Sequence, residues 1–230
     1  MRLHLLHLKS HSILHQLQLE EALLRTDSRN WCIINEGSPP AIVMGISGKS
    51  HELIDIEKAK RNNIPLIKRF SGGGTVVVDG NTLFITFIFQ KEIHPFSFPE
   101  PIMRWSENLY QAALPLKGFQ LKENDYVIDE KKCGGNAQYI KKERWLHHTS
   151  FLWDYTPHLM ELLLHPKKTP SYRQGRVHHD FLCRLNEFLP NSSILTSSLK
   201  EELSRRYTLD EVTLEQLSPF PTHRQETLLL

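Results

Sequence analysis

The sequence predicts an α/β chain of the α+β kind, with mixed, largely antiparallel sheets flanked by helices. Three observations carry that expectation. Short branched or aromatic runs at residues 31–35, 41–45 and 83–89 have the length and composition of strands. Between them lie longer stretches, such as 13–24, 52–62 and 102–113, with apolar residues at helical spacing. Neighbouring runs are joined by clusters of turn formers, as in Glu36-Gly37-Ser38-Pro39-Pro40.

At 230 residues the chain is long enough for one full-sized core but not for two equal domains. Lys and Arg number 28 against 26 Asp and Glu, a net charge of +2, and no basic run is long enough to track a nucleic-acid backbone. Nucleic acid is therefore not the expected partner. The longest apolar run, 83–89, is far shorter than the ~20 residues a membrane helix needs, so no membrane association is expected. Cys32, Cys133 and Cys183 are widely spaced and odd in number, which suits a reducing compartment. No secretory signal is legible where histidines and Leu19-Glu20-Glu21 interrupt the apolar pattern.

Taken in order, residues 2–8 predict a strand and the following stretch a helix capped by Ser10 or Ser12, with Ile13, Leu14, Leu17 and Leu24 on one face. The break near Ser10 scatters His4, His7, His11 and His15, which argues against a shared metal. Gly45-Ile46-Ser47-Gly48-Lys49-Ser50 imitates a phosphate loop, but it has two residues between its glycines where that loop needs four, and Val43 stands where the first glycine belongs. Residues 52–62 predict a helix, 83–89 a strand covered on both faces, and 102–113 a helix stopping at Leu114-Pro115. Tyr126-Val127-Ile128 and residues 145–154 predict strands, and the adjacent His147 and His148 must then face opposite ways. A short helix over 159–164, a loop holding Lys167 and Lys168, and a helix over 199–207 after the capping residues Asn191-Ser192-Ser193 complete the pattern. Arg173, Arg176, His178, His179 and Arg184 offer either an additional anion surface or a solvated face.

Two stretches suggest chemistry. In Lys68-Arg69-Phe70-Ser71-Gly72-Gly73-Gly74-Thr75-Val76-Val77-Val78-Asp79, a basic pair, a hydroxyl and three glycines lie between strand-like runs. A tight turn needs one or two glycines, so three point to a ligand that approaches bare backbone, with N–H groups aimed at its oxygens. In Lys132-Cys133-Gly134-Gly135-Asn136-Ala137, small residues again sit beside a cation. An ammonium on a long stem can follow an oxygen as its charge changes during a reaction. Anion-holding backbone, a lysine and large apolar strands together suit a small molecule with an acidic head and a greasy tail.

The pairing of these stretches resembles the lipoate-protein ligase A family. Residues 68–79 are similar to its arginine-rich SGGG signature, Asn124-Asp125-Tyr126-Val127 with residues 132–137 to its lysine motif, and Leu146-His147-His148-Thr149 to its HHGT-like strand. Gly175-Arg176-Val177 falls where the family has another short motif, and the likeness covers about residues 10–210. The resemblance implies a class II biotin/lipoate ligase-like catalytic domain over 1–190, with 191–217 as a helical extension of the same domain. Residues 218–230 are expected to form a poorly ordered tail. It also implies that ATP and lipoate give lipoyl-AMP and pyrophosphate. The lipoyl group then passes to a lysine of an apo lipoyl domain, in 2-oxoacid dehydrogenase E2 subunits or glycine cleavage H protein. Localisation would be cytoplasmic, or mitochondrial in a eukaryote.

By the same resemblance, Lys132 is the catalytic residue bridging lipoate carboxyl and α-phosphate, and Arg69 contacts adenylate or pyrophosphate. Ser71, Gly72, Gly73 and Gly74 shape the loop, and Gly74, Thr75, Val76 and Val77 line the adenylate. Gly135, Asn136, Ala137, His148 and Thr149 belong to the same ATP and lipoyl-AMP site. Asp125 or Asp79 would hold Mg²⁺, although either serves equally as a turn residue. The chain departs from the family in three places: Val78 replaces a histidine, Thr149-Ser150 follows His148 without a glycine, and Lys68 replaces the first of two arginines. Larger members carry an accessory C-terminal domain, so closure over the adenylate would use a separate protein or none. The alternatives are a lipoyltransferase using preformed lipoyl-AMP, an octanoyltransferase working through a Cys133 thioester, and a non-catalytic binder. Biotin ligases share the implied fold but differ in their glycine-rich signature.

Overall fold

The computed structural model describes residues 1–114, 116–165, 169–217 and 223–230. In chain order its elements are β1 (Arg2–Lys9), α1 (Ile13–Thr26), β2 (Trp31–Glu36), β3 (Ala41–Met44), α2 (Ser50–Leu53), α3 (Ile56–Arg61), β4 (Leu66–Lys68), β5 (Val76–Val78) and β6 (Thr82–Gln90). There follow α4 (Pro99–Ala113), β7 (Phe119–Lys122), β8 (Asp125–Ile128), β9 (Lys131–Ile140), β10 (Arg144–Leu152), α5 (Pro157–Met160), α6 (His178–Phe181), α7 (Ser192–Arg206), β11 (Thr208–Val212) and β12 (Leu228–Leu229).

The strands form two sheets, one of eight in the order β11-β1-β2-β6-β10-β9-β8-β7 and one of four in the order β12-β4-β3-β5. Strand β1 is parallel to β2 and β11, and β3 to β4; every other described pairing is antiparallel. The fold class is therefore the mixed, largely antiparallel one predicted. Its centre is β6, whose branched and aromatic residues are buried from Thr82 to Phe89, as expected of a strand covered on both faces. One face carries Phe87, Phe89, Trp145 and Phe151, which pack in one core with Tyr110 of α4 and with Leu195, Leu199 and Leu203 of α7. On the other, Ile13 and Leu17 of α1 pack with Val43, Ile67, Val78 and Phe84, so α1 sits where the small sheet meets the large one.

Several local expectations need correction. Strands β2 and β3 stand where predicted, and the turn between them carries the chain from the large sheet to the small one. The helix expected over 52–62 breaks at Ile54, which bridges to Leu163, and α3 restarts on the Asp55 side chain, which accepts Lys58 N–H at 2.9 Å. Residues 131–140 are a full strand. Strands β7 and β11, which have few branched residues, were not anticipated. Asn191 does cap a helix, accepting Ile194 N–H at 3.1 Å, but α7 begins at once rather than at Leu199, and α5 is shorter than expected. The tail expectation fails over its described part: Leu228 and Leu229 pair with β4 and Thr227 is buried, because the backbone there finds partners that the sequence does not announce. Pro115, Lys167, Lys168 and residues 218–222 lie outside the described residues. Among those described, no helix is long and apolar enough to cross a membrane.

Candidate functional site

Between the two sheets lies a cleft of about 940 Å³. Its walls include Val43, Val76, Val77 and Val78 from the small sheet and Phe84, Gly135, Asn136, Ala137, His148 and Ser150 from the large one. The glycine loop crosses its mouth and ties the two together: Ile46 N–H donates to Ser71 O at 3.0 Å, and Gly72 N–H to Gln138 O at 3.2 Å.

The three glycines have different reasons to be bare. Gly73 has φ +112°, and a Cβ there would stand 2.6 Å from Arg69 Nη2 and 2.9 Å from Asn136 O, so the protein itself demands glycine. A Cβ on Gly72 would meet nothing nearer than 3.8 Å, and one on Gly74 nothing within 4 Å. Both line the cleft, so packing among the described residues does not require glycine at either position. Thr75 lines the same cleft and Ser71 does not; the hydroxyl oxygens of both are buried without a hydrogen-bond partner among the described residues.

Arg69 is 4 % exposed; Nε and Nη2 are engaged by the loop, and Nη1 donates to Val43 O of β3 at 3.5 Å. Nη2 donates to Gly72 O and Gly74 O at 2.9 Å each, and Nε to Gly72 O at 3.3 Å. Burial lowers its pKa to about 10, since there is little nearby charge to offset desolvation. With carbonyls drawn to the guanidinium, the loop's shape depends on this side chain.

Lys132 reaches the cleft because of a β-bulge. Residues an odd number apart on a regular strand point to opposite faces, so Lys132 and Gly135 should diverge. The β8–β9 register instead runs Tyr126 to Gly134 and then Val127 to Lys132, leaving Cys133 as the extra residue. That residue restores the parity: a Cβ on Gly135 would lie 3.3 Å from Lys132 Nζ, and both residues line the cleft. Lys132 Nζ pairs with Asp125 Oδ1 at 2.7 Å, and Tyr172 Oη donates to Asp125 Oδ2 at 2.9 Å. Gly134 is bare for another reason, because a Cβ would sit 2.7 Å from Phe151 Cδ1.

The two histidines do face opposite ways. His148 lines the cleft, and its Nδ1 lies 3.0 and 3.1 Å from the two carboxylate oxygens of Glu20, a fully buried residue of α1 that also accepts from Gln16 and Thr86. His147 is buried among Tyr126, Gln138 and Thr149; burial and the neighbouring His148 push its pKa down to about 3. Thr149 shares that inner face and does not line the cleft; it donates to Asn136 Oδ1 at 3.1 Å and so supports a wall residue from behind.

Of the two candidate metal carboxylates, Asp125 lines the cleft and Asp79 does not. Asp79 has the turn role, accepting Asn81 N–H at 2.8 Å and the Thr156 hydroxyl at 3.0 Å. Among the described residues no group of three or more His, Cys, Asp or Glu is arranged to hold a metal ion. The Cys133 thiol is buried in the core, where burial raises its pKa well above the ordinary value, which does not suit the nucleophile of a thioester route.

Other wall residues escaped the sequence reading. Ser47, Gly48 and Lys49 line the cleft although their motif cannot close a phosphate loop. A Cβ on Gly45 would lie 2.2 Å from Gly73 O, so this turn packs directly against the glycine loop. Gly45 is the one signal that could have shown it. Of the basic cluster, Arg173 and His178 line the cleft, and Arg173 Nη2 is buried without a hydrogen-bond partner among the described residues; Arg176, His179 and Arg184 do not line it.

Residues 12–213 match the family described as lipoyl protein ligase A/B catalytic domain. Among curated relatives, a Plasmodium falciparum protein named inactive lipoate–protein ligase 2 is 33% identical over 190 residues, covering 66% of this chain and 49% of its own. The Bacillus subtilis lipoate-protein ligase LplJ is 29% identical over 171 residues, covering 72% and 50%. The chain thus spans about half the length of these relatives. A solved lipoate-protein ligase A bound with ATP superposes with TM-score 0.74 at 20% identity, covering 94% of this chain and 91% of its own. The Thermoplasma acidophilum bi-partite lipoate protein ligase, from a study that includes its E2 lipoyl domain, gives 0.76 at 19%, covering 95% and 90%. At those identities the structures establish a shared fold.

Proposed function

The chain belongs to the lipoyl protein ligase A/B catalytic domain family, and from that premise we propose that it activates lipoate with ATP to lipoyl-AMP and transfers the lipoyl group to a lysine of a lipoyl domain. The observation that carries this reading is the convergence of two elements on one cleft. A glycine loop with open backbone at Gly72 and Gly74 stands on one side, and Lys132, turned inward by a bulge and held by Asp125, on the other.

In the adenylation step the lipoate carboxylate attacks the α-phosphorus and pyrophosphate leaves, so negative charge must be met by groups already in place. Lys132 is assigned the bridge between carboxyl and phosphate. The N–H groups of the loop and the Thr75 hydroxyl take the nucleotide side. Arg69, whose Nε and Nη2 hold the loop carbonyls, is assigned a role through the shape of the loop. Ile13, Leu17 and Phe84 supply apolar wall for the acyl chain, with His148 beside them. Mg²⁺ would arrive with the phosphates and shield their charge; of the two aspartates, Asp125 is the proposed ligand because it lines the cleft, and a carboxylate or two plus phosphate oxygens satisfies this ion. E2 subunits and glycine cleavage H protein are the proposed acceptors.

The test is to incubate the protein with ATP, Mg²⁺, lipoate and an apo lipoyl domain, following pyrophosphate and the mass of the domain. The expected result is release of pyrophosphate and a gain of one lipoyl group, both reduced about 10³-fold in Lys132→Ala. Because one relative bears the word inactive in its name, a parallel arm with synthetic lipoyl-AMP is essential. Transfer from lipoyl-AMP without any pyrophosphate from ATP would overturn the activation half and leave a lipoyltransferase. The thioester route is disfavoured by the buried thiol, and Cys133→Ala is expected to keep transfer activity.

A further inference from the structure

Residues 226–230 form a strap across the stem of the glycine loop. Glu21 of α1 is fully buried, and its carboxylate accepts the backbone N–H groups of Glu226 at 2.9 Å and Thr227 at 3.0 Å. Arg25 reinforces the contact, donating from Nε to Glu21 at 2.9 Å and from Nη2 to the Glu226 carboxylate at 2.8 Å. Thr227 is 1 % exposed, and its hydroxyl accepts Phe70 N–H at 3.3 Å. Leu228 and Leu229 then pair with Lys68 and Ile67, and Leu230 N–H donates to Leu66 O at 2.8 Å.

A buried carboxylate is costly unless its oxygens are satisfied, and here they are satisfied by consecutive amides of a segment distant in sequence. The apolar contribution to docking is small, because Leu228, Leu229 and Leu230 are 51–59 % exposed. The polar clamp therefore decides where this segment lies. Its position matters because β4 has only three residues, and without β12 it would be an edge strand held by β3 alone. Phe70, fully buried, directly follows Arg69, which braces the carbonyls of Gly72 and Gly74.

We propose that Glu21 and Thr227 are positioning residues for the glycine loop, setting through residues 226–230 where Phe70, Arg69 and the loop backbone stand in the cleft. The strap itself is independent of the ligand, whereas its consequence for ATP rests on the function proposed above.

Thr227→Val keeps the size of the side chain and removes the acceptor, and Thr227→Ser restores it. Backbone hydrogen exchange over 66–74 is expected to quicken about 5–10-fold in Thr227→Val, with no change in β6 or β10, and KM for ATP to rise by a similar factor at little-changed kcat. Thr227→Ser should reverse both effects. Glu21→Gln, which keeps the shape but weakens the acceptor, should quicken exchange over 226–230 and 66–70 together; it decides the matter if Thr227→Val does not fold. Unchanged exchange over 66–74, or a change spread equally over β6 and β10, would overturn the proposal. If the unsubstituted protein released no pyrophosphate, the activation reading would fall while loop exchange still decided the strap.

Discussion

Gly73 and Gly74 look alike in the sequence and differ in the fold. Gly73 combines a left-handed backbone with a neighbour 2.6 Å from any Cβ, so Gly73→Ala should cost about 1–3 kcal/mol in urea unfolding. Gly74→Ala meets no atom of the described residues within 4 Å and should change stability by less than ~0.5 kcal/mol, yet weaken ATP binding measured by calorimetry. Equal stability losses would remove the argument for a ligand-facing Gly74. A second residue-scale effect concerns pH. His147 is neutral in the folded protein down to about pH 3 because of burial, with His148 adding to the effect. Below pH ~6.5 the unfolded imidazole takes up a proton that the folded one does not, so stability falls as pH falls, by up to about 1.4 kcal/mol per unit. Urea midpoints compared between pH 6.5 and 4 should show a shallower slope in His147→Gln. The histidine pair was legible as two opposite-facing residues, because strand alternation is a property of the backbone. That His148 would meet Glu20 was not, since Glu20 lies 128 positions away and reads as one charge on an amphipathic helix.

Elements were legible where composition and period agree. The centre of the large sheet, β6, shows plainly as a continuous branched and aromatic run. Strand β11, by contrast, is Thr-Leu-Asp-Glu-Val, polar enough to pass for a loop, and becomes a strand because β1 offers it an edge. The glycines of β9 carry no strand signal, and tertiary contacts impose the strand there. Gly134 is there because the ring of Phe151 on β10 occupies the space a side chain would need. Gly134→Ala should therefore destabilise by about 1–3 kcal/mol. Adding Phe151→Leu, itself a cavity-forming change, should cost less on the alanine background than on the native one. A double-mutant cycle measures the coupling, expected at roughly 0.5–2 kcal/mol and favourable, whereas strict additivity would mean that the strand relaxes around the methyl group. The bulge at Cys133 had no signal at all, yet it decides which face carries Lys132.

At the scale of the molecule, the two chemical stretches were legible separately, and what the sequence could not convey is that they belong to different sheets. The loop rises from the small sheet, Lys132 projects from the large one, and α1 packs against both. A ligand spanning the cleft thus contacts two bodies that otherwise meet through α1, a few loop hydrogen bonds and the packing around Phe84. Binding to the folded state alone stabilises it by about 2.7 kcal/mol at a ligand concentration 100 times Kd. For a chain of this size that corresponds to a rise in Tm of about 5–10 °C. Lipoate with ATP should therefore raise Tm by at least this much, and by more than the sum of the two ligands alone if the product bridges the sheets. Lys132→Ala should retain part of the shift with ATP, because the loop is intact, and lose the excess seen with both ligands, because the bridging cation is gone. Differential scanning fluorimetry with each ligand, with both, and with lipoyl-AMP separates these contributions. An identical excess in Lys132→Ala would mean that the two sheets are joined by something other than this lysine.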